Sequence, residues 1–196
     1  SGPVAMAPGT ASLVHAHNRE LAFSVTDIAV PTPGLPLAFE RTYRGQDEYE
    51  GTLGVGWDFN YNQRIVPLLK PHVLGREQMR LVDRAHNDDT TAVGDDVLLH
   101  TGDGRVLVFT KITTSGRPPG FDQDPLIQSI LDDEPADSTR HWYMPPPGVF
   151  DALVRFGAKG SYLRVTPEGV QYRYDPLGRL VRIDDSFVGN HQTLTY

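Results

Sequence analysis

Hydrophobic and polar positions alternate with period two over several short stretches of the chain, and each stretch ends at a cluster of Gly, Pro, Asn or Asp. Leu21, Phe23 and Val25 alternate with Ala22, Ser24 and Thr26, the spacing that places every second side chain on one face of a strand. Residues 31–36 read Pro-Thr-Pro-Gly-Leu-Pro, with Gly34 inside the turn, and Leu37, Phe39 and Arg41 then resume the alternation. Two strands joined as a hairpin are predicted there. Residues 78–83 and 95–112 also read as strands around turns, and Val97-Leu98-Leu99-His100, Thr101-Gly102-Asp103-Gly104 and Arg105-Val106-Leu107-Val108-Phe109 predict a hairpin with a Gly-rich loop. That hairpin has a counterpart, because Thr101-x-Asp103-Gly104 with Phe109 five residues after the glycine aligns with Thr166-x-Glu168-Gly169 and Tyr174. Residues 113–124 and 132–140 lack periodicity and read as exposed loops, and only 125–131 admits a helical turn. Pro145-Pro146-Pro147-Gly148 reads as a rigid connection before a strand rather than as a polyproline ligand. The chain is expected to be all-β, built from antiparallel hairpins.

The most legible unit closes the chain. Tyr172 and Tyr174 lie two apart, so on a strand both rings leave one face while Arg173 leaves the other. Asp175-Pro176-Leu177-Gly178 then has turn chemistry throughout: Asp accepts bonds from the turn backbone, Pro presets φ, and Gly tolerates positive φ at the exit. Arg179, Leu180 and the residues to Ile183 resume an alternating run, Asp184-Asp185-Ser186 breaks it, and Gly189-Asn190 offers a second reversal before Thr193-Leu194-Thr195-Tyr196. Tyr174 and Tyr196 are 22 residues apart, and self-similarity at periods of about 20–50 residues marks architectures whose units must stack to bury a face.

This motif resembles the YD repeat of the Rhs family: Tyr-x-Tyr-Asp-x-x-Gly-Arg-Leu, a short acidic stretch, Gly-Asn and a closing Thr-Leu-Thr-Tyr. The spacer before Gly189 is longer by about one residue than the usual pattern, so a differently bulged loop is expected there. A second stretch resembles the domain that opens many bacterial Rhs proteins. It runs from Thr26 through Gly34, Arg41 and Tyr43 to Gly51-Thr52-Leu53-Gly54-Val55-Gly56-Trp57. There Gly54 and Gly56 beside Trp57 suit close backbone packing under an indole. A phosphate-cradling loop is disfavoured, since neither a helix pattern nor Lys-Ser/Thr follows. Four segments are expected: 1–18 as a tag remnant and flexible lead-in, because Ser1-Gly2-Pro3 looks like a cleaved tag; 19–70 as the opening domain; 71–165 as divergent β-hairpins with long loops; and 166–196 as the first recognisable repeat.

Composition narrows the classes. With 196 residues and 39% hydrophobic content the chain can pack a sizeable core, and 16 prolines and 19 glycines spread as punctuation favour short strands. A net charge of −7 argues against nucleic acid and against anionic membranes, and no basic face is evident in the sequence. Without cysteine there is neither a disulfide scaffold nor a thiolate metal site. No apolar run is long enough for a membrane-spanning helix, and no signal peptide is visible.

Candidate chemistry is sparse. His15-x-His17 would put two imidazoles on one strand face, without a third ligand fixed by spacing. Asp83, Asp88, Asp89, Asp95 and Asp96 miss the calcium-loop spacing and read as a solvated loop. No Gly-x-Ser-x-Gly elbow occurs, and Asp132-Asp133 and Asp184-Asp185 read as turn caps. Tyr172 and Tyr174 could form a sugar-stacking platform, but packing between successive repeats is the preferred reading.

What the resemblance implies is structural. Proteins of the Rhs and YD-repeat type wind hairpins into a hollow β shell, similar in kind to those of insecticidal toxin complexes and teneurins, and in bacterial polymorphic toxins that shell encloses a C-terminal toxin of the same chain. The expectation is therefore a non-catalytic fragment at the start of a YD-repeat β shell, with no catalytic residue, cofactor or metal. Gly34, Arg41, Tyr43, Gly54, Gly56, Trp57, Tyr172, Tyr174, Asp175, Gly178, Arg179, Leu180, Gly189 and Asn190 would act as structural motif residues. Expected partners are downstream repeats, the toxin of the same polypeptide, a secretion-system component and, through open sheet edges, a second copy; the expected location is secreted or on the bacterial cell surface. The alternative is an adhesion or carbohydrate-binding module using exposed Trp142, Tyr143, Tyr172 and Tyr174.

Overall fold

The computed structural model describes residues 12–15, 20–46, 48–68, 96–112, 125, 127, 129, 140–157, 160–186 and 189–196. The expected strand at 78–83, the acids Asp83, Asp88, Asp89 and Asp95, His17, most of the lead-in and most of the two expected loops lie outside them; the part of the lead-in that is described, residues 12–15, is not flexible as expected but a strand paired with the next one. The described chain is all-β with antiparallel pairing, apart from helical backbone at Pro125, Ile127 and Ser129, where the sequence admitted a helical turn. It divides into two compact units, one of residues 1–62 with 101–105 and the other of 63–100 with 106–196.

The first unit holds a four-stranded sheet in the order β1 (Ser12–His15), β2 (Glu20–Val30), β3 (Leu37–Arg44), β6 (Trp57–Phe59), and a small ribbon of β4 (Glu50–Gly51) with β5 (Gly54–Val55). The predicted hairpin is β2 and β3, turning at 31–36, with a bulge between Thr26 and Ile28. Register places Phe23 opposite Tyr43 and Tyr43 opposite Trp57, so three aromatic rings share one face. Trp57 stands edge-on to Phe23 at 5.5 Å and tilted to Tyr43 at 5.3 Å. Arg41 lies over the indole at 5.2 Å while its guanidinium pairs with Asp27 at 2.5 Å. Gly56 is closely packed, with φ +74° and a Cβ there 2.6 Å from the Arg44 carbonyl oxygen and 3.1 Å from the Tyr43 ring, whereas Gly54, expected to pack in the same way, would meet nothing within 4 Å and its φ of +100° serves the turn alone.

The second unit is one nine-stranded sheet in the order β15-β14-β13-β12-β11-β10-β9-β8-β7. Its strands are β7 (Arg64–Pro67), β8 (Val97–His100), β9 (Val106–Lys111), β10 (Arg140–Met144), β11 (Ala152–Phe156), β12 (Tyr162–Val165), β13 (Gln171–Tyr174), β14 (Leu180–Asp184) and β15 (His191–Thr193). Neighbours in the sheet are neighbours in sequence, as a run of hairpins must be. The 145–148 stretch makes the turn between β10 and β11, where the Val149 amide donates to the Pro146 carbonyl at 3.1 Å.

Both faces of this sheet are buried over its central strands, while residues of β7, β14 and β15 are exposed, and register sorts the side chains between the faces. Trp142, Val154 and Leu163 lie opposite one another in succession and pack with Ile127, Ala152, Phe156 and Val165 on one face. On the other face lie Ile65, Leu99, Phe109, Tyr143, Leu153, Tyr162, Tyr174 and Leu180, each at most 5% exposed. The sheet curls as a half-barrel around this second face until its ends meet: the Ile65 amide donates to the Gly178 carbonyl at 2.8 Å, and the Leu180 amide donates to the Gln63 carbonyl at 3.3 Å. Arg64 and Arg179 form an antiparallel bridge between these two bonds.

Candidate functional site

The residues of the tyrosine motif converge on this closure. The turn forms as the sequence predicts: the Leu177 and Arg179 amides donate to Asp175 Oδ1 at 3.0 and 2.9 Å, and Arg179 Nε donates to Oδ2 at 2.8 Å. Burial alone would raise the Asp175 carboxyl, but these Arg179 bonds and its charge outweigh it and hold the group below its ordinary range. At the exit, Gly178 has φ +79°, and a Cβ on it would stand 1.9 Å from the Ile65 carbonyl oxygen. Any side chain there would displace β7. This glycine therefore serves both the turn and the seam where the curled sheet meets itself.

Beneath the seam lies a buried polar network. Arg164 Nε donates to Asp151 Oδ2 at 2.6 Å and its Nη1 donates to Gln63 Oε1 at 3.2 Å. The Tyr174 hydroxyl donates to the same Gln63 oxygen at 3.1 Å. Arg164 and Asp151 have side chains only 13% and 10% exposed, so this is an ion pair in the interior, where losing one partner is costly. Tyr174 is 1% exposed, and burial pushes its hydroxyl well above the usual phenol range. It stays a neutral donor. Tyr172 sits opposite Arg164 across the β12–β13 pair and its ring carries the guanidinium at 4.7 Å.

The closing tyrosine engages the unit before it. Tyr196 donates its hydroxyl hydrogen to the Leu180 carbonyl at 2.8 Å, and Arg179 lies over its ring at 5.2 Å. The expected reversal at Gly189-Asn190 forms, with the Asp185 amide donating to the Asn190 carbonyl at 3.0 Å. Asp185 caps that turn through the Ser186 amide, while Asp184 differs from the expected cap: it accepts from Arg173 and Arg182 across and along the strands. The alignment of the two hairpins also holds. The Thr101 amide donates to the Arg105 carbonyl and the Thr166 amide to the Val170 carbonyl, at 3.1 and 3.0 Å, and Phe109 and Tyr174 are both buried.

Three aromatics of the expected sugar platform are not exposed. Trp142, Tyr143 and Tyr174 are 8%, 3% and 1% exposed, because consecutive residues of β10 enter opposite faces of a sheet buried on both. Tyr172 is half-buried on Arg164. What the sequence did not signal was Gln63, Asp151 and Arg164, three polar residues as much as 101 positions apart that only the curl of the sheet unites. Among the described residues, no three of His, Asp and Glu come together in a way that could hold a metal ion.

A family model described as a domain of unknown function (DUF6531) matches residues 3–109, more than half of the 196-residue chain. No curated protein and no solved structure gives a significant match.

Proposed function

Because the chain belongs to the family of the domain of unknown function DUF6531, a domain commonly found in Rhs and YD-repeat-type proteins, we propose that it is the beginning of a β shell whose tyrosine-motif hairpins serve packing rather than catalysis. The observation that carries this reading is the placement of the motif itself: Tyr174 is buried, Gly178 meets β7 at the seam, and Tyr196 packs back on Arg179 and Leu180. A motif built for binding would present these groups outward. β15 is left as a sheet edge, and an edge strand is a template for another strand, supplied by a further hairpin or by a second copy. In a longer polypeptide such hairpins would enclose a C-terminal toxin exported from a bacterial cell.

Enclosure is tested by limited proteolysis of the natural full-length protein with and without mild denaturant. Segments downstream of residue 196 are expected to resist digestion while the wall is intact and to become cleavable in the same denaturant range that unfolds the sheet. Rapid digestion of those segments in the native protein would overturn the reading.

A further inference from the structure

In the first unit the β2–β3 hairpin runs out beyond the sheet that anchors it. Among the described residues, β1 pairs with β2 only at 20–23 and β6 pairs with β3 only at 41–43, whereas β2 and β3 stay paired as far as Val30 and Leu37. Residues 28–39 therefore form a two-stranded finger. They read Ile-Ala-Val-Pro-Thr-Pro-Gly-Leu-Pro-Leu-Ala-Phe, without a single charge. Ile28, Val30 and Leu37 are 58%, 45% and 46% exposed, and Ala29, Pro31, Pro33 and Pro36 are exposed beside them. Scattered apolar side chains on a surface are ordinary, but a contiguous uncharged tip marks a docking surface.

The bulge makes the apolar face continuous. Strict alternation from Phe23 and Val25 would turn Asp27 to their face, and Ile28 and Val30 to the other. The shift between Thr26 and Ile28 resets the period, so Ile28 lies opposite Phe39 and Val30 opposite Leu37, on the face that carries Phe23, Tyr43 and Trp57. Asp27 closes the stretch at its base, where both its carboxylate oxygens accept from Arg41.

The backbone of the finger is also provided for. Along the outer edge of β3 the Glu40 amide donates to Asn60 Oδ1 at 3.1 Å, and Asn60 Nδ2 donates to the Ala38 carbonyl at 2.8 Å. Three of the six residues at 31–36 are prolines, which bring no N–H, and the Thr32 hydroxyl donates to the Leu35 carbonyl. Addition of a strand from a second copy is thereby disfavoured, since the edge of β3 is capped and that of β2 is bent by its bulge. Apolar surface covers both faces and the tip, so its occupant surrounds the finger rather than lying along one side. An acyl layer does that. Three paired residues, at about 3.4 Å each, reach roughly 10 Å, a depth suited to the headgroup and acyl boundary and too short to span.

We propose that the finger at 28–39 dips into the acyl boundary of a neutral phospholipid bilayer, leaving the pair of Asp27 and Arg41 at headgroup level. The net charge of −7 selects neutral over anionic lipid. The inference is independent of the shell reading, since it needs only the first unit. It is tested on the 196-residue chain by co-flotation with vesicles of phosphatidylcholine and, separately, of phosphatidylcholine mixed with phosphatidylglycerol. Binding to the first is expected, with weaker binding to the second. Ile28→Asp and Leu37→Asp should each weaken partition at least about tenfold, as withdrawal of one large apolar side chain from the acyl layer requires, and Phe150→Asp, at an exposed apolar position outside the finger, should leave it unchanged. All three side chains are exposed, so far-UV dichroism should be retained. No flotation with phosphatidylcholine, or flotation equally strong in the folded Ile28→Asp and Leu37→Asp variants, would overturn the proposal. Self-association in sedimentation that Ile28→Asp abolishes, without vesicle binding, would overturn it in favour of a second copy.

Discussion

Substituting Gly178 by alanine isolates the seam. At φ +79° an alanine carries the left-handed cost of about 1–2 kcal/mol. Its methyl would also stand 1.9 Å from the Ile65 carbonyl oxygen and 2.9 Å from the carbonyl carbon. These are backbone atoms, and they cannot swing aside as a side chain would. Relieving the clash means moving β7 away, at about 1–3 kcal/mol for overpacking, and weakening the two bonds that close the sheet, at about 1 kcal/mol each. Together the loss is roughly 4–7 kcal/mol, a large part of a domain's typical stability of about 5–15 kcal/mol. Gly148 is the matched control: its φ is +84° and a Cβ would meet nothing within 4 Å, so Gly148→Ala carries only the conformational cost of about 1–2 kcal/mol. Urea denaturation of both variants measures the difference, and amide hydrogen exchange locates it. Ile65 and Leu180 should lose protection in Gly178→Ala and keep it in Gly148→Ala. Equal destabilisation of the two variants, or unchanged protection at Ile65, would refute the seam.

Three further outcomes follow from the interior. Asp151→Ala leaves Arg164 buried without its carboxylate and should lower stability by about 3 kcal/mol in urea denaturation. Tyr174→Phe keeps the ring but removes the bond to Gln63, a loss of about 1 kcal/mol measured in the same way. His100, half-buried with Arg64 Nη2 3.3 Å from its Nδ1, is held neutral in the fold: burial first, then the Arg64 charge, lowers it from 6.5 to about 4. The unfolded chain takes up that proton first, so this contribution is complete above pH 6.5 and is lost as the pH falls towards 4, by about 3 kcal/mol at most. Denaturation midpoints at pH 7.5, 6 and 5 should show the decline, flattened in His100→Gln.

Local chemistry was legible in the sequence, and closure was not. The tyrosine-motif turn could be read because Asp175, Pro176 and Gly178 each favour one backbone state at one position, and the observed bonds to Asp175 are those the turn demands. The hairpins at 21–41 and 97–109 were legible for the same reason, as period-two runs flanking turn residues. Gly178 could be assigned to the turn, but nothing near it in sequence points to Ile65, over a hundred residues earlier. That contact depends on how far nine strands curl. The burial of Trp142 and Tyr143 was hidden likewise, because alternation predicts one buried and one solvated face, whereas this sheet is covered on both at its central strands.

Electron cryomicroscopy of the natural full-length protein tests the central claim most directly. If the chain begins a shell, β15 is paired on its open side by the strand of a following hairpin, residues 166–196 are continuous with a wall of similar units, and the wall surrounds density belonging to the end of the same polypeptide. A sheet that stops at β15, with the remaining chain folded outside it and no enclosed volume, would contradict the account.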